Sequence, residues 1–227
     1  MKKTRAMVKA SLKRKKYENK IESICFDAIA KKKEPFVVDV GAWKGNFLGG
    51  AYNHNSNVAA LAVEPIPENV KLLEALPIKK KDIFEACVAA ENGMVKLYIA
   101  GKKHNLVDCS IHKESAEKFG SKNTQELTCE AISMRALLHD VPKVDVLLMN
   151  CEGAEYDVML GGTSWLSKVD RLYLHMHTKA DKFLSDEYYF KRIKIMARLL
   201  EAGFRMECGM KDMDALSHII QLWRKDG

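Results

Sequence analysis

The chain has 227 residues, of which 47% are hydrophobic and 30% are charged. This length and composition suit one globular domain and exclude an intrinsically disordered chain. No apolar stretch approaches the ~20 residues of a membrane helix, and no apolar segment follows the basic N-terminus as in a secretory signal. The six cysteines lack metal-ligand spacing, which indicates reduced thiols, and we therefore expect a cytoplasmic protein without a transmembrane segment.

The net charge of +7 is concentrated near the N-terminus. Residues 1–33 hold twelve Lys or Arg and three acids, a balance of +9, whereas the remainder holds 25 basic and 27 acidic side chains, a balance of −2. We therefore predict a basic N-terminal helical arm over 1–33 and a single Rossmann-like domain over 34–227. The arm is either a solvated helix face or an attraction site for an anionic partner such as nucleic acid, acidic lipid or acidic glycan.

The apolar pattern predicts alternating helices and strands along the chain. In order, these are a helix at 6–30, strands at 35–41 and 57–65, a helix at 67–76, a hairpin of strands 83–90 and 94–100, a strand at 126–133, strands at 144–150 and 171–177 separated by a helix, a helix at 184–202, and a terminal hairpin of 204–210 and 217–223. This order indicates an α/β fold with a doubly wound, mostly parallel seven-stranded sheet, an inserted β-hairpin and a C-terminal antiparallel hairpin. Ligands of such sheets bind beyond the carboxyl ends of the strands.

The turn after the first strand reads Asp39-Val40-Gly41-Ala42-Trp43-Lys44-Gly45. Its glycines permit a tight turn and close approach of a ligand to the backbone. Trp43 and Asn46 occupy glycine positions of the G-x-G-x-x-G fingerprint, which excludes a dinucleotide site. Glu64 ends the second strand nineteen residues after Gly45, a spacing at which a carboxylate can hold ribose hydroxyls. The alternative is a pair of ordinary strand ends with Glu64 exposed.

Five segments resemble the FkbM-type methyltransferases: VVDVGAWKG, VAALAVEPIPENVKLL, ACVAAENGMVKLYI, CEAISMRALL and VDVLLMNCEGAEYDVMLGG. The similarity covers residues 35 to 177, and its most specific element is the block from Glu152 to Glu155. The resemblance implies a class I methyltransferase fold that binds S-adenosyl-L-methionine over the first strand. It implies the following cofactor-binding residues: Asp39, Gly41, Ala42, Trp43 and Gly45 in the loop, Glu64 on the ribose, and Pro65, Ile66, Val88 and Ala89 around the adenine. Asn150 can position the cofactor amine or the acceptor by hydrogen bonds. The chain departs from the family at Trp43 and Asn150, where the family has Asn and Asp.

Catalytic residues are expected at the carboxyl ends of the fourth and fifth strands. A hydroxyl acceptor requires a base, and His177 is the first candidate because an imidazole titrates near neutral pH. Glu152 is the second candidate, with Asn150 as the orienting group, and Glu155 either is catalytic or compensates the helix N-terminus. His175 shares a face with His177, but no acid cluster accompanies the pair, so no metal site is predicted.

The sequence therefore predicts an S-adenosylmethionine-dependent O-methyltransferase that acts on a hydroxyl or carboxyl group of a small molecule or glycan. Methylation of RNA ribose is the alternative that the basic arm supports, and the bulky Trp43 favours a second alternative, a non-catalytic Rossmann-like binding module. The polar loop 101–125 is expected to cover the acceptor site with His104, Asn105, Ser110 and His112.

Overall fold

A computed structural model describes residues 2–100, 108–113, 124–177, 186–209 and 218–226. The helices in these ranges are α1 (Lys2–Ala30), α2 (Asn46–His54), α3 (Pro67–Glu74), α4 (Met134–Leu137), α5 (Glu155–Leu160) and α6 (Asp186–Glu201), with a 3-10 helix at Ser164–Lys168. The strands are β1 (Phe36–Val40), β2 (Ala59–Val63), β3 (Lys80–Phe84), β4 (Cys87–Ala89), β5 (Gly93–Ala100), β6 (Asp108–Ser110), β7 (Thr124–Ser133), β8 (Val146–Met149), β9 (Arg171–His177), β10 (Phe204–Gly209) and β11 (His218–Lys225). Within the described ranges, no helix combines the length and apolar character needed to cross a membrane.

The central sheet has seven strands within the described residues, in the order β10-β11-β9-β8-β1-β2-β3. Strands β3, β2, β1, β8 and β9 pair in parallel, and β11 pairs antiparallel with both β9 and β10. The mostly parallel sheet and the terminal antiparallel hairpin are therefore confirmed. The chain winds outward from β1 on one side and from β8 on the other, so the strand order reverses between these two strands. Their carboxyl ends are where this fold places a ligand.

The segment between β3 and β8 forms a second sheet in the order β4-β7-β5-β6, and here two predictions were wrong. The predicted strand 83–90 is two strands, because the chain turns at Phe84–Ala86 and enters the second sheet at Cys87. The residues of β3 alternate between exposed and half-buried, as at a sheet edge, whereas all of β4 is buried. The strand at 94–100 does not pair with 83–90. It pairs antiparallel with β7 over eight residues, so a long-range partner prevails over the local turn signal at 91–93.

The two faces of the central sheet carry separate hydrophobic clusters. Along β1, Val37 packs towards α1 and α2, and its neighbour Val38 packs into the cluster that contains residues of α5 and α6. This alternation follows from the two-residue period of a strand. The predicted N-terminal helix is confirmed, and Ile21 and Cys25 of its apolar stripe are fully buried. The C-terminal half of α1 is therefore a covering layer of the sheet.

Candidate active site

The turn after β1 depends on Gly41. This residue has a φ of +79°, and a Cβ atom there would lie 2.1 Å from the carbonyl oxygen of Asn150. The backbone N–H groups of Gly41 and Ala42 both donate to the carbonyl of Val63 at the end of β2. The turn thus holds the carboxyl ends of β1, β2 and β8 against one another. Gly45 also has a positive φ, but a Cβ atom there would meet side chains of α3, so this glycine serves helix packing.

Glu64 is a buried carboxylate that organises the neighbouring backbone. Its Oε2 accepts the N–H of Trp43 at 2.9 Å, and its Oε1 accepts the N–H of Ile66 at 3.1 Å and the amide of Asn69 at 3.0 Å. Burial raises the pKa of Glu64, and the three donors act in the opposite direction. The side chain is only 4% exposed, which excludes the alternative of an exposed strand end. Trp43 is held at a φ of +46°, an unusual value for a residue other than glycine.

A first cavity of about 700 Å³, continuous with solvent, lies over the carboxyl ends of β1 and β2. Its polar wall is formed by the Gly41 turn, Glu64 and Asn150, and its apolar wall includes Pro65 and Val88. Small-molecule sites likewise combine apolar walls with few polar groups. Cys87, Cys109 and Cys151 also line the cavity, and burial raises the pKa of the Cys151 thiol well above its usual value. Such a thiol is a poor nucleophile.

Residues 108–113 reach this cavity from the second sheet. The Ser110 hydroxyl donates to the carbonyl of Glu152 at 2.7 Å and accepts the N–H of His112. The Nε2 of His112 lies 2.9 Å from Asp157 in α5, and the hydrogen bond to this carboxylate raises the pKa of His112. Ser110 and Ile111 line the first cavity, while His104 and Asn105 of the predicted covering loop lie outside the described residues.

His177 lies between two carboxylates at the carboxyl end of β9. Its Nδ1 is 2.9 Å from Oε1 of Glu155, and its Nε2 is 3.4 Å from Oε1 of Glu152. Glu155 is fully buried and also accepts the backbone N–H groups of Cys151 and Gly153, each at 2.8 Å. Because Glu155 acts as an acceptor towards these backbone donors, we assign the Nδ1 proton of His177 to this hydrogen bond. Nε2 is then the unprotonated ring nitrogen, and it lies on the side of the ring that faces Glu152.

A second cavity, which we call the α1 chamber, lies between α1 and the carboxyl ends of β1, β8 and β9. It encloses about 1080 Å³ and is open to solvent. Its walls comprise Arg14, Glu18, Glu22, Asp39, Ala42, Asn46, Phe47, Leu148, Tyr173, His175 and His177, together with the four residues that it shares with the first cavity, Gly41, Trp43, Asn150 and Glu152. Within the described ranges, Trp43 and Glu152 are the non-glycine residues with positive φ. Backbone strain is therefore concentrated at the junction of the two cavities, as it often is at functional sites.

Two buried oxygens lie unpaired in the wall of the α1 chamber. Oδ1 of Asp39 and Oδ1 of Asn150 have no hydrogen-bond partner in the described part of the chain. Asp39 is 1% exposed, and burial, followed by the charges of Glu64 and Glu22, raises its pKa to about 8. An unsatisfied buried polar atom costs roughly 1–3 kcal/mol. Both atoms therefore indicate donors supplied by a bound molecule.

The comparison with protein families decides the class of this site. The family model of the methyltransferase FkbM domain matches residues 39–206, which is most of the chain. The chain belongs to the FkbM methyltransferase family. The matched residues span both cavities except for the wall contributed by α1, and a search of curated proteins found no match.

Several solved structures are similar to this FkbM-family chain. Precorrin-6y C5,15-methyltransferase from Geobacter metallireducens has 11% identity, a TM-score of 0.47, and coverage of 91% of this chain and 87% of its own. An rRNA methylase from Streptococcus thermophilus has 10% identity, a TM-score of 0.48, and coverage of 90% and 95%. The fibrillarin pre-rRNA processing protein of Methanococcus jannaschii has 11% identity, a TM-score of 0.48, and coverage of 86% and 68%.

The residues predicted from the sequence are distributed over both cavities of the FkbM domain. Gly41, Trp43, Glu64, Pro65, Val88, Asn150 and Glu152 line the first cavity, and Asp39, Ala42, His175 and His177 line the α1 chamber. Three predicted cofactor residues line neither: Gly45 faces α3, Ile66 is buried beside Cys87 and Leu97, and Ala89 faces a third cavity near Trp165. Asn69, which lines the first cavity, and the acids of α1, which line the α1 chamber, were not predicted from the sequence. A polar residue one turn after Glu64 was the available signal for Asn69.

Proposed function

We propose that this FkbM-family protein is an S-adenosylmethionine-dependent methyltransferase that methylates an oxygen of a small molecule or glycan. The observation that carries this proposal is the position of His177, which Glu155 orients and which lines the α1 chamber beside Glu152. At the junction of the two cavities, a methyl donor in one cavity and a methyl acceptor in the other would both lie within reach of the His177 imidazole.

The first cavity fits S-adenosylmethionine. The Oε2 atom of Glu64 accepts only one described hydrogen bond, so it retains capacity for a ribose hydroxyl. The Gly41 turn permits close approach of the backbone, and Pro65 and Val88 offer apolar contact to adenine. Asn150 Oδ1 needs a donor, which the amino group of the cofactor carries. When bound, the cofactor supplies an electrophilic methyl group on a sulfonium.

His177 is the proposed base. Its Nε2 accepts the proton of the acceptor hydroxyl as the O–H bond breaks, and Glu155 stabilises the resulting imidazolium through Nδ1. Glu152, on the other side of the imidazole, adds a negative charge that favours the same protonated form. Burial of Glu155 and its hydrogen bonds with the backbone fix the position of this carboxylate and, through it, of the His177 ring. Positioning of the reactants provides most of the acceleration in such displacements.

Calorimetry with S-adenosylmethionine, followed by tritiated methyl transfer into glycans, phenols, carboxylates and RNA, tests the proposal. Glu64→Gln, which retains the side-chain volume, should weaken cofactor binding by about 1–3 kcal/mol because a charged hydrogen bond to the ribose is lost. Asp82→Asn, at an exposed position of β3, is the matched control. If the unaltered protein does not bind the cofactor, the proposal is wrong, and if Glu64→Gln binds normally, the ribose contact is elsewhere.

A further inference from the structure

We infer that Cys87 and Cys129 form a redox-active pair, whose thiols a peroxide converts into a disulfide between two strands of the second sheet. The proposed methyl transfer uses neither thiol, so this modification site goes beyond that function and does not depend on it. Under limited oxidation, the remaining cysteines should stay reduced: Cys25, Cys109, Cys151 and Cys208.

The two sulfur atoms of the pair are in direct contact. Sγ of Cys87 lies 3.1 Å from Sγ of Cys129, and one thiol donates a hydrogen bond to the other. Cys87 belongs to β4 and Cys129 to β7, and these strands pair in parallel. A disulfide bond is about 2.0 Å long, so the sulfurs must approach by about 1 Å, a displacement of the size of ordinary thermal motion. The bond can therefore form without a change in strand pairing.

The surroundings of the pair keep the sulfurs adjacent. Cys87 is buried, and Cys129 is half-buried on the same face of the second sheet. Both pack in an apolar cluster that contains Ile66, Leu97 and Ile99. Close packing holds side chains in fixed positions, and two groups held in contact react with each other faster than with partners in solution. An oxidised sulfur in this pair should thus react with its neighbour.

Exposure and hydrogen bonding give the two thiols different roles. Cys129 is the more exposed, and its sulfur accepts a side-chain and a backbone hydrogen bond from Cys87, which lower the pKa of Cys129. The contact with Cys129, together with burial, raises the pKa of Cys87. Because the thiolate is the nucleophile, Cys129 is the sulfur that reacts with the peroxide, and Cys87 is the resolving thiol.

The oxidation proceeds in two steps. The Cys129 thiolate attacks one oxygen of hydrogen peroxide, so that an S–O bond forms, the O–O bond breaks, and the departing hydroxide takes up the proton that the Cys129 thiol released. The Cys87 sulfur then attacks the sulfenic acid on Cys129; the S–S bond forms, the S–O bond breaks, and water leaves with the Cys87 proton. Two thiols thereby lose two electrons and two protons, and the peroxide is reduced to two water molecules.

The disulfide lies beside the first cavity. Cys87 and its neighbour Val88 both line that cavity. Strand β7, which carries Cys129, pairs with β4 on one side and with β5 on the other. Oxidation therefore ties a wall of the first cavity covalently to an inner strand of the second sheet.

Peptide mapping of the oxidised full chain tests the inference. The reduced protein is treated with equimolar hydrogen peroxide, the remaining thiols are alkylated with N-ethylmaleimide, and tryptic peptides are identified by mass spectrometry. Trypsin places the six cysteines on six different peptides, because a Lys or Arg lies between each successive pair. The main oxidised product should be the crosslinked peptides of Cys87 and Cys129, lighter than the two thiol peptides by two hydrogen atoms. Dithiothreitol should remove this crosslink.

Substitutions assign the two roles. Cys87→Ser should leave Cys129 as a sulfenic acid that dimedone labels, and Cys129→Ser should abolish the crosslink and keep Cys87 reduced. Cys208→Ser, at another partly buried cysteine, is the matched control and should retain the full yield of crosslink.

A main crosslink that involves any other cysteine overturns the inference, as does the absence of a crosslink even in excess peroxide. Both outcomes are read from the unaltered protein, so they do not depend on the folding of a variant.

Discussion

At the residue scale, His177 contacts one carboxylate through each ring nitrogen, and the two contacts differ in burial. Glu155 is fully buried and bonded to the backbone, whereas Glu152 has a side chain that is 21% exposed. The first contact therefore fixes the ring, and the second lies at the edge of both cavities. Under the proposed function, Nε2 is the atom that accepts the proton, and Glu155 is a positioning residue.

His177→Ala should lower turnover by roughly 10²–10⁴-fold, the usual contribution of a general base, while cofactor affinity changes little. Methyl-transfer kinetics and calorimetry measure the two quantities separately. His139→Ala is the control because this exposed histidine pairs only with its neighbour Asp140 in the described contacts. A loss below tenfold, together with an inactive but folded Glu152→Ala variant, would identify the carboxylate as the base instead.

Asp39 predicts a pH dependence of stability in the absence of ligands. Burial, followed by the charges of Glu64 and Glu22, raises its pKa to about 8 in the folded state, whereas its ordinary pKa, which applies in an unfolded chain, is 3.8. The folded state then binds more protons between these values, so the stability contributed by this group falls as pH rises through the window. The slope is at most about 1.4 kcal/mol per pH unit.

Asp39→Asn removes this titration, so its stability relative to the unaltered protein should increase steadily as the pH is raised from about 4 to about 8. Urea denaturation at several pH values measures the difference. Asp82→Asn, in exposed surroundings, should show no comparable trend. A constant offset between Asp39→Asn and the unaltered protein would show that this carboxyl is ionised in the folded state as well.

At the element scale, α1 and α2 approach each other at Gly50, and the adjacent Gly49 of α2 makes no such approach. A Cβ atom on Gly50 would lie 2.6 Å from Cζ of Phe26, whereas a Cβ atom on Gly49 would meet only Leu76, at 4.0 Å. The Phe26 ring is itself enclosed, with ring centroids of Phe47 at 5.2 Å and His54 at 4.8 Å. Both partner rings belong to α2, so they hold the Phe26 ring against this helix beside Gly50.

Gly50→Ala should destabilise the protein by about 1–3 kcal/mol through overpacking. Gly49→Ala in the same helix should be neutral or stabilise by up to about 1 kcal/mol, because alanine has the higher helix propensity. Thermal and urea denaturation of the two variants form a matched comparison. If both variants are equally stable, the ring of Phe26 adjusts freely and the contact does not fix α1.

Apart from β3, the strands of the central sheet could be predicted from the sequence because they carry local apolar signals. The boundary at Glu85 could not, because the residues on both sides of it are apolar and the two strands differ only in which distant strand they pair with. The same applies to β5, whose partner β7 follows a long segment of sequence. Register between distant strands depends on the tertiary fold, and local turn residues such as Asn92 and Gly93 do not determine it.

At the scale of the whole molecule, the site was predictable where it consists of strand ends. Asp39 and His177 lie in the last two residues of buried strands, and Glu64 and Asn150 directly follow such strands. Parallel strands present their carboxyl ends at one edge. The direction in which a turn residue points could not be predicted from the sequence. Gly45 and Ile66 were expected to contact the cofactor, but they face away from both cavities. The acids of α1 were also missed, because the docking of a helix onto a distant sheet edge leaves no local pattern beyond its apolar stripe.

The distribution of charge over the whole molecule leads to the last prediction. Residues 1–13 hold five Lys or Arg and no acid, so their removal lowers the net charge from +7 to 7 − 5 = +2. If this cluster attracts anionic partners, its positive charges bind one polyanion together and release several of the polyanion's counterions, which makes the binding strongly dependent on salt. The unaltered protein should then elute from heparin at higher salt than the shortened protein, which retains Ile21, Cys25, Phe26 and Ile29 of the core.

A control with the same net charge separates clustering from total charge. Five exposed lysines outside α1 are replaced by glutamine: Lys71, Lys79, Lys80, Lys96 and Lys143. Those at 80, 96 and 143 form surface ion pairs, which contribute little to stability, so the variant should remain folded. It should elute close to the unaltered protein, because the N-terminal cluster is intact. Equal elution of the shortened and control variants would show that heparin responds to net charge alone, and the basic N-terminus would then be a solvated helix surface.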